Sequence, residues 1–176
     1  MGCKPAVQSG LEVLRGSRFE SLRGAKIGLL VHPASVDSEL RHAVDVVLAS
    51  KGPKLTRLFG PQHGIRGETQ DNMIEWEGYQ DPRTGIPVCS LYGKNREPEP
   101  QWLEGLDALV IDLQDAGARV YTFIWTMLLC MRACAAAGVR VVILDRPNPV
   151  GGRTLEGPML DPAYASFVGM LPIPVR

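Results

Sequence analysis

Four side chains that can do chemistry lie close together in the segment "LFGPQHGIRGETQ", residues 58–70. Gln62, His63, Arg66 and Glu68 supply an amide, an imidazole, a guanidinium and a carboxylate, and glycines are interleaved with them. Glycine lets the backbone and neighbouring side chains approach a bound molecule closely. A plain connection needs turn residues but none of these groups. The segment therefore predicts one wall of a binding site for a polar small molecule.

Two later segments are equally polar: "DLQDAGARVYTF", which begins at Asp112, and "DRPNP", which begins at Asp145. With the first segment they supply the candidate catalytic carboxylates Glu68, Asp112 and Asp115 and the candidate binding residues Gln62, His63, Arg66, Gln114, Arg119, Tyr121, Asp145, Arg146 and Asn148. Several of these residues also have a structural interpretation. A buried Asp112 needs a partner, which Arg119 or Arg146 can supply. Asp115 can cap the next helix, and Tyr121 can pack in the core.

Short apolar runs of strand length separate the polar segments. They are "KIGLLV", "KLTRLFG", "PVCSLYG", "DALVIDLQD" and "VRVVILD", and helical patterns lie between several of them. Nearly continuous apolar strands separated by helices indicate a parallel sheet that is covered on both faces. The sequence therefore predicts an α/β fold, an open, mostly parallel, Rossmann-like sheet with helices on both faces.

Two helices have the clearest patterns. In "SELRHAVDVVLAS" the apolar residues from Leu40 to Leu48 recur at helical spacing, and Ser38 is the expected N-cap. "YTFIWTMLLCMRACAAAG" predicts a long helix that ends at Gly138. Cys130 and Cys134 lie on this helix, and we expect them to be buried as small hydrophobic residues.

The polar candidates follow the predicted strands at their carboxyl ends. His32 follows the first strand, and the three polar segments follow the second, fourth and fifth. The amino ends offer only the isolated charges Lys26, Lys54, Asp107 and Arg140. Ligands of open parallel sheets bind beyond the carboxyl ends of the strands, where the strand order reverses. The asymmetry therefore predicts a small-molecule site along that edge, although His32 can also be a simple turn residue.

Composition excludes several classes of function. The chain has 19 basic and 19 acidic residues, so it has no overall field that would hold nucleic acid or an anionic membrane. It lacks the GxGxxG, GxxxxGK[ST] and GxSxG motifs, which argues against dinucleotide, P-loop and α/β-hydrolase chemistry. None of its four cysteines forms a CxxC or zinc-type pattern. We expect no cofactor, no bound metal, no nucleic-acid partner and no membrane partner.

The composition of the chain changes after Asp145, where proline and glycine become frequent. We predict a Rossmann-like domain over residues 1–150 and a Pro/Gly-rich extended arm over residues 151–176, which leads toward a C-terminal domain absent from this chain. The start, "MGCKPAVQSG", has no apolar secretory segment. We therefore expect a cytoplasmic location for the chain as given, and a periplasmic or secreted location stays open for a full-length form. The sequence predicts no oligomeric state.

Five segments in order carry a family resemblance: "LFGPQHGIRGE", "DPRTGIPVCSLYGKNREP", "LDALVIDLQDAGARVYTF", "VVILDRPNPVGG" and "EGPMLDPAYASFVGMLPIPVR". Together they resemble the bacterial exo-β-N-acetylmuramidases of glycoside hydrolase family 171, formerly a domain of unknown function, from about Gly10 to Arg176. The resemblance implies removal of N-acetylmuramic acid from the non-reducing end of peptidoglycan fragments. It also implies a Rossmann-like N-terminal domain, a smaller C-terminal domain and an active site in the cleft between them.

The chain departs from the family pattern at Gln62. Many members have glutamate in "PEHG", where this sequence has "PQHG". Because an amide cannot transfer a proton, either Glu68 or an aspartate of "DLQD" takes that role here, or the activity is altered. Glycoside hydrolysis usually needs two carboxyl groups. We assign proton transfer to Glu68 or Asp115, and orientation or charge stabilisation to Asp112.

Muramic acid carries a lactyl carboxylate, which a bidentate arginine recognises well. Arg66, Arg119 and Arg146 are the candidates, and His63 and Asn148 can bind sugar hydroxyls or the acetamido group. Three other functions remain open. The first is a non-catalytic sugar-binding domain, and the second is a structural Rossmann-like domain. The third is a metal-dependent hydrolase that uses His63, Asp112, Asp115 and Asp145.

Overall fold

A computed structural model describes residues 7–69 and 74–176 of the chain. One sheet of six strands organises these residues, and its strands are β1 (Lys26–Val31), β2 (Lys54–Gly60), β3 (Tyr79–Gln80), β4 (Pro87–Ser90), β5 (Ala108–Asp112) and β6 (Arg140–Ile143). Their order across the sheet is β3-β4-β2-β1-β5-β6. All neighbours are parallel except β3, which runs antiparallel to β4. The predicted open, mostly parallel α/β sheet is confirmed.

The direction of winding reverses at β1. From β1 the chain adds β2 and then β4 on one side, and it afterwards adds β5 and β6 on the other side. β1 and β5 are direct neighbours, and Val31 pairs in register with Asp112 at their carboxyl ends. A crevice for ligands forms at such a reversal in open α/β sheets. The fold therefore brings the loops after β1 and β5 together at that point.

Helices cover both faces of the sheet. Helices α1 (Gly10–Gly16) and α2 (Ala43–Leu48) pack on one face, and α3 (Pro100–Leu103) and α4 (Phe123–Ala137) pack on the other. Alternate strand residues point to opposite faces, so β1 sends Ile27 and Leu29 to the first core and Leu30 to the second. The two cores hold the sheet edge rigidly beneath the loops.

The long helix α4 agrees with its sequence pattern. It ends at Gly138, whose φ of 69° lies in the left-handed region that favours glycine. Cys130 and Cys134 are fully buried in the core under this helix, as predicted. Within the described ranges no helix is both long enough and apolar enough to span a bilayer.

The expected start of α2 at Ser38 was wrong. The helix begins at Ala43 with His42 as its N-cap, and Leu40 is an exposed residue with a φ of 59°. The reason lies in Asp37, whose Oδ1 accepts hydrogen bonds from the backbone N–H groups of Glu39 (2.9 Å) and Arg41 (3.0 Å). This local capping of the backbone by a carboxylate competes with helix formation and holds residues 37–41 in a turn.

Residues 151–176 contain no strand and only one short 3-10 helix, Pro162–Tyr164. Backbone hydrogen bonds between Glu156 and Arg176 and between Leu160 and Ile173 fold this segment back on itself. We refer to residues 151–176 as the arm. It contacts the sheet domain through Arg119, whose backbone N–H donates to the carbonyl of Val175 over 2.7 Å.

Candidate functional site

A buried ion pair joins β5 to the loop after β6. Asp112 is fully buried at the end of β5, and Arg146 donates to both of its carboxylate oxygens, from Nε over 2.5 Å and from Nη2 over 2.9 Å. Arg146 Nη2 also donates to the carbonyl of Val36 over 3.0 Å. Burial raises the pKa of Asp112, and the Arg146 guanidinium opposes that rise. Of the two structural partners considered for Asp112, the structure selects Arg146.

A second network links β1 to the loop after β5. His32 is almost fully buried, and its Nε2 accepts the backbone N–H of Gln114 over 3.0 Å. Burial first, and the nearby charges of Arg146 and His42 in addition, lower the pKa of His32 to about 4. The imidazole is therefore neutral near pH 7 and can accept this hydrogen bond. His42 Nε2 lies 3.0 Å from the carbonyl oxygen of His32, which fixes the loop after β1 from the side of α2.

Asp115 lies on the loop after β5, next to Gln114, which His32 holds in place. Its Oδ2 accepts the backbone N–H of Gly117 over 3.0 Å and the side-chain amide of Asn148 over 3.2 Å. Its other oxygen, Oδ1, is buried and has no hydrogen-bond partner among the described residues. Tyr121 lies close by, since burial and then the charge of Asp115 raise the pKa of its phenol. Asp115 is not the cap of α4, whose N-cap is Thr122.

The loop after β2 forms the opposite side of the crevice. Gln62 Oε1 accepts the hydroxyl of Thr122 over 3.2 Å, which ties this loop to the start of α4. His63 has a φ of 70°, and its Nδ1 lies 2.8 Å from the carbonyl oxygen of Thr69. If Nδ1 carries the proton in this contact, Nε2 is the acceptor that His63 can offer to a ligand.

Glu68 is held by two donors. Its Oε2 accepts the backbone N–H of Arg66 over 2.9 Å, and its Oε1 accepts the hydroxyl of Tyr79 on β3. Burial, followed by the hydrogen bond and the charge of Glu68, raises the pKa of Tyr79. Both Glu68 oxygens therefore accept hydrogen bonds.

Arg66 is engaged with a buried carboxylate away from the crevice. Its guanidinium donates to both oxygens of Asp81, over 3.1 Å and 3.3 Å. Burial alone would raise the pKa of Asp81, but the Thr84 hydroxyl and Arg66 hold that pKa below its usual value. The pair connects the loop after β2 to the turn between β3 and β4.

Arg119 holds the arm against the sheet domain. Its Nη1 donates to the carbonyl oxygens of Pro158 (2.9 Å) and Ile173 (2.6 Å). Within residues 7–69 and 74–176, Arg119 has no carboxylate partner, whereas Arg66 and Arg146 are each bound to an aspartate. Arg119 is therefore the candidate guanidinium with capacity left to bind a ligand carboxylate.

The structure brings most of the predicted residues to the crevice, but it holds Arg66 on Asp81 and separates Asp145 from the others. The side chain of Asp145 is exposed and lines a groove against α1, and its backbone carbonyl accepts the N–H of Gly10 over 2.7 Å. Sequence reasoning did not single out His42, Tyr79 or Asp81, because their partners are distant in sequence or on short elements. Within the part of the chain that the structure describes, no three His, Cys, Asp or Glu side chains are grouped closely enough to hold a metal ion.

Known proteins are similar to this chain in sequence and in fold. A family model described as exo-beta-N-acetylmuramidase NamZ, N-terminal, matches residues 27–176. The chain is 47% identical over 173 residues to the peptidoglycan beta-N-acetylmuramidase NamZ of Bacillus subtilis, with 98% of this chain and 42% of that protein covered.

Two crystal structures of DUF1343 family proteins from Bacteroides fragilis are also similar. The first has a TM-score of 0.89 at 39% identity and covers 98% of this chain and 43% of the other. The second has a TM-score of 0.78 at 34% identity and covers 96% of this chain and 42% of the other. The chain thus spans less than half the length of these relatives. It belongs to the family of the exo-β-N-acetylmuramidase NamZ and matches the N-terminal part of that family.

Proposed function

We propose that this chain is the part of an exo-β-N-acetylmuramidase that carries the proton-transfer machinery. The observation that supports it best is the state of Asp115 at the sheet crevice. One carboxylate oxygen is fixed by two donors, and the other is buried without a partner among the described residues. A buried oxygen without a partner is costly in a protein interior. A proton shared with a glycosidic oxygen of a bound sugar would satisfy it.

Asp115 is therefore our candidate for the general acid. Asn148 and the backbone of Gly117 hold Oδ2, so Oδ1 is the oxygen that can carry the proton. Asp112 is a positioning residue in this proposal, since its ion pair with Arg146 anchors the loop that presents Asn148. His32 acts in the same way through its hydrogen bond to Gln114.

Glu68 is our candidate for the second carboxyl group. The backbone N–H of Arg66 and the hydroxyl of Tyr79 hold its two oxygens in place, and in this proposal it acts as a base, a nucleophile or an electrostatic stabiliser. Assigning the acid to Asp115 and the ionised group to Glu68 separates the two roles that glycoside hydrolysis requires. The amide of Gln62 takes neither role and serves as a hydrogen-bonding group toward the sugar.

The remaining candidates fit recognition of muramic acid. Arg119 is the available partner for the lactyl carboxylate. Tyr121, which is 37% exposed, follows Arg119 by two positions in sequence and lies close to Asp115 in space. His63 Nε2 and Gln114 can bind hydroxyl or acetamido groups. Arg66, Arg146 and Asn148 support these groups through the pairs described above. Asp145, which is exposed beside α1, has no role in this arrangement.

The arm supports a two-part organisation of the longer protein. We propose that residues 1–150 form the catalytic Rossmann-like domain and that the arm, residues 151–176, leads to a C-terminal domain like the one implied by the length of the relatives. Leu155 and Tyr164 are 78% and 76% exposed on the arm, which suits a surface that a further domain covers.

The test is release of N-acetylmuramic acid from a chromogenic β-muramide, by the chain alone and by the chain joined to the region that follows the matched part in the relatives. We expect turnover of this substrate in the joined form, and a loss of about 10²–10⁴-fold in kcat for Asp115→Asn on a muramyl–glucosamine disaccharide, whose leaving group needs a proton. Full activity in both Asp115→Asn and Glu68→Gln would refute the assignment. A rate abolished by a chelator and restored by a divalent cation would instead support the metal-dependent alternative.

Gln62 favours one second function, a sugar-binding domain without turnover. Its amide stands where a carboxylate is found in many family members, and its Oε1 accepts a hydrogen bond from the Thr122 hydroxyl. A ligand-induced rise in melting temperature with N-acetylmuramic acid, together with no measurable turnover in either form of the protein, would select this function. Turnover that rises in Gln62→Glu would show that the amide attenuates an existing activity.

A further inference from the structure

A groove beside the end of β4 has walls that suit a sugar. Its volume is about 350 Å³, and the residues that line it include Trp76, Trp102, Asn95, Glu77 and Lys94. We refer to it as the tryptophan groove. It contains two of the three tryptophans of the chain. Aromatic walls with a few polar groups are typical of small-molecule sites.

The groups in the tryptophan groove are available for a ligand. Trp76 is fixed by its Nε1–H, which donates to the carbonyl of Pro61 over 3.2 Å, so its ring remains as an apolar wall. Trp102 is only partly buried, and its indole N–H has no partner among the described residues. The carboxylate of Glu77 is likewise unpartnered within those residues, and Asn95 uses its amide N–H toward Glu99 and keeps its carbonyl oxygen.

The sheet relates this groove to the catalytic crevice. Both lie at the carboxyl edge, one at β4 and one at β5, and three strand intervals separate β4 from β5. At about 4.8 Å per interval the separation is about 14 Å. Trp76 is bonded to Pro61, the residue directly before Gln62, so the loop after β2 connects the two places. A ligand that lies along this edge can reach both.

Charge selects the kind of sugar. Three glutamates and one lysine line the tryptophan groove, namely Glu75, Glu77, Glu99 and Lys94. Glu75 is paired with Arg96, and Glu99 accepts two side-chain amides, which leaves Glu77 as the lining carboxylate without a partner among the described residues. The three carboxylates outnumber the single lysine, and like charges repel, so a sugar with a carboxylate is disfavoured here. A neutral N-acetylated amino sugar offers hydroxyl donors to Glu77 and an apolar face to the indoles.

We propose that the tryptophan groove is a distal subsite for neutral N-acetylglucosamine residues on the leaving-group side of the cleaved bond. This proposal rests on the proposed function: when an enzyme removes the terminal muramic acid, all the remaining sugars of the fragment lie on the leaving-group side. The groove adds binding for longer fragments without touching the reacting atoms.

The test is a titration of this chain with a neutral N-acetylglucosamine trimer, followed by tryptophan fluorescence. We expect a saturable change in the wild-type chain, at least a tenfold weaker affinity in Trp102→Ala and a several-fold weaker affinity in Glu77→Gln. The matched control is Glu104→Gln, an exposed residue just after α3 and outside the groove, which should bind like the wild type.

Two results would overturn the proposal: no saturable binding by the wild-type chain, or an unchanged affinity in Glu77→Gln and Trp102→Ala. Because Trp102 also packs on the core, circular dichroism is used to check that Trp102→Ala is folded. If that variant is unfolded, Glu77→Gln, which changes an exposed residue, provides the test. The titration needs no turnover, so it separates this subsite from the proposed function. If the chain binds the trimer but the protein releases no N-acetylmuramic acid, the subsite proposal is supported and only the proposed glycosidase activity is refuted.

Discussion

His32 gives the protein a defined sensitivity to acid. The pKa of its imidazole falls from an ordinary value of 6.5 to about 4 in the folded chain, first because the ring is buried and then because Arg146 and His42 lie near it. Between these two values the unfolded chain binds a proton at this position and the folded chain does not. Unfolding therefore takes up a proton in this window, and stability falls as the pH is lowered through it.

The magnitude follows from the same two values. Each pKa unit corresponds to about 1.4 kcal/mol. The difference between 6.5 and about 4 therefore lowers the free energy of unfolding by about 3 kcal/mol when the pH falls from 7 to 4. The contribution of His32 is fully present above about pH 7, declines as the pH falls below 6.5 and levels off near pH 4. Burial also lowers the pKa of His42, so that residue adds a loss of the same sign.

Urea unfolding at a series of pH values measures this effect. His32→Gln keeps a side-chain oxygen that can accept the N–H of Gln114 but removes the titrating group. We expect the free-energy difference between the wild type and this variant to shift by about 3 kcal/mol between pH 7 and pH 4. The matched control is His63→Gln, a histidine outside this network, which should retain the wild-type pH dependence. Parallel curves for the wild type and His32→Gln would refute the account of the buried neutral imidazole.

Two further predictions concern the arginines of the crevice. Arg146→Met leaves Asp112 buried without its partner and should lower the free energy of unfolding by about 3–5 kcal/mol. The double variant with Asp112→Asn should recover part of that loss. Strictly additive effects of the two substitutions in urea unfolding would contradict a coupled pair. Arg119→Ala removes charge-assisted hydrogen bonds to Pro158 and Ile173, each contributing about 1.5–3 kcal/mol, and should speed proteolytic cleavage within the arm. Arg23→Ala, an exposed position just before β1, is the control, and equal cleavage rates in the two variants would show that Arg119 does not hold the arm.

The main strands and the long helix could be predicted because their signals are local. Each of the five parallel strands is an apolar run, and α4 combines continuous helical spacing with a glycine stop at Gly138. Short elements gave weaker signals. Helix α1 has a capping box formed by Ser9 and Glu12, but it is only seven residues long. The two-residue strand β3 depends on pairing with β4, which no local pattern of Tyr79 and Gln80 reveals.

The location of the polar residues could also be predicted, but their partners could not. Parallel strands bring their carboxyl ends to one edge, so the position of a residue after a strand is enough to place it there. The choice of Arg146 over Arg119 for Asp112 depends on how loops 34 positions apart in sequence meet above the sheet. Arg66 meets Asp81 through the turn before β4 for the same reason. The catalytic and binding roles themselves stay predictions.

The most direct test of the central claim compares two substrates in Asp115→Asn. A general acid matters most when the leaving group is a poor one, because a sugar alcohol needs a proton as the bond breaks. We predict that the variant, joined to the region that follows in the relatives, loses about 10²–10⁴-fold in kcat on a muramyl–glucosamine disaccharide. It should lose far less on a β-muramide of an acidic nitrophenol. Equal losses on both substrates, or no loss on the disaccharide, would contradict the assignment of Asp115 as the proton donor.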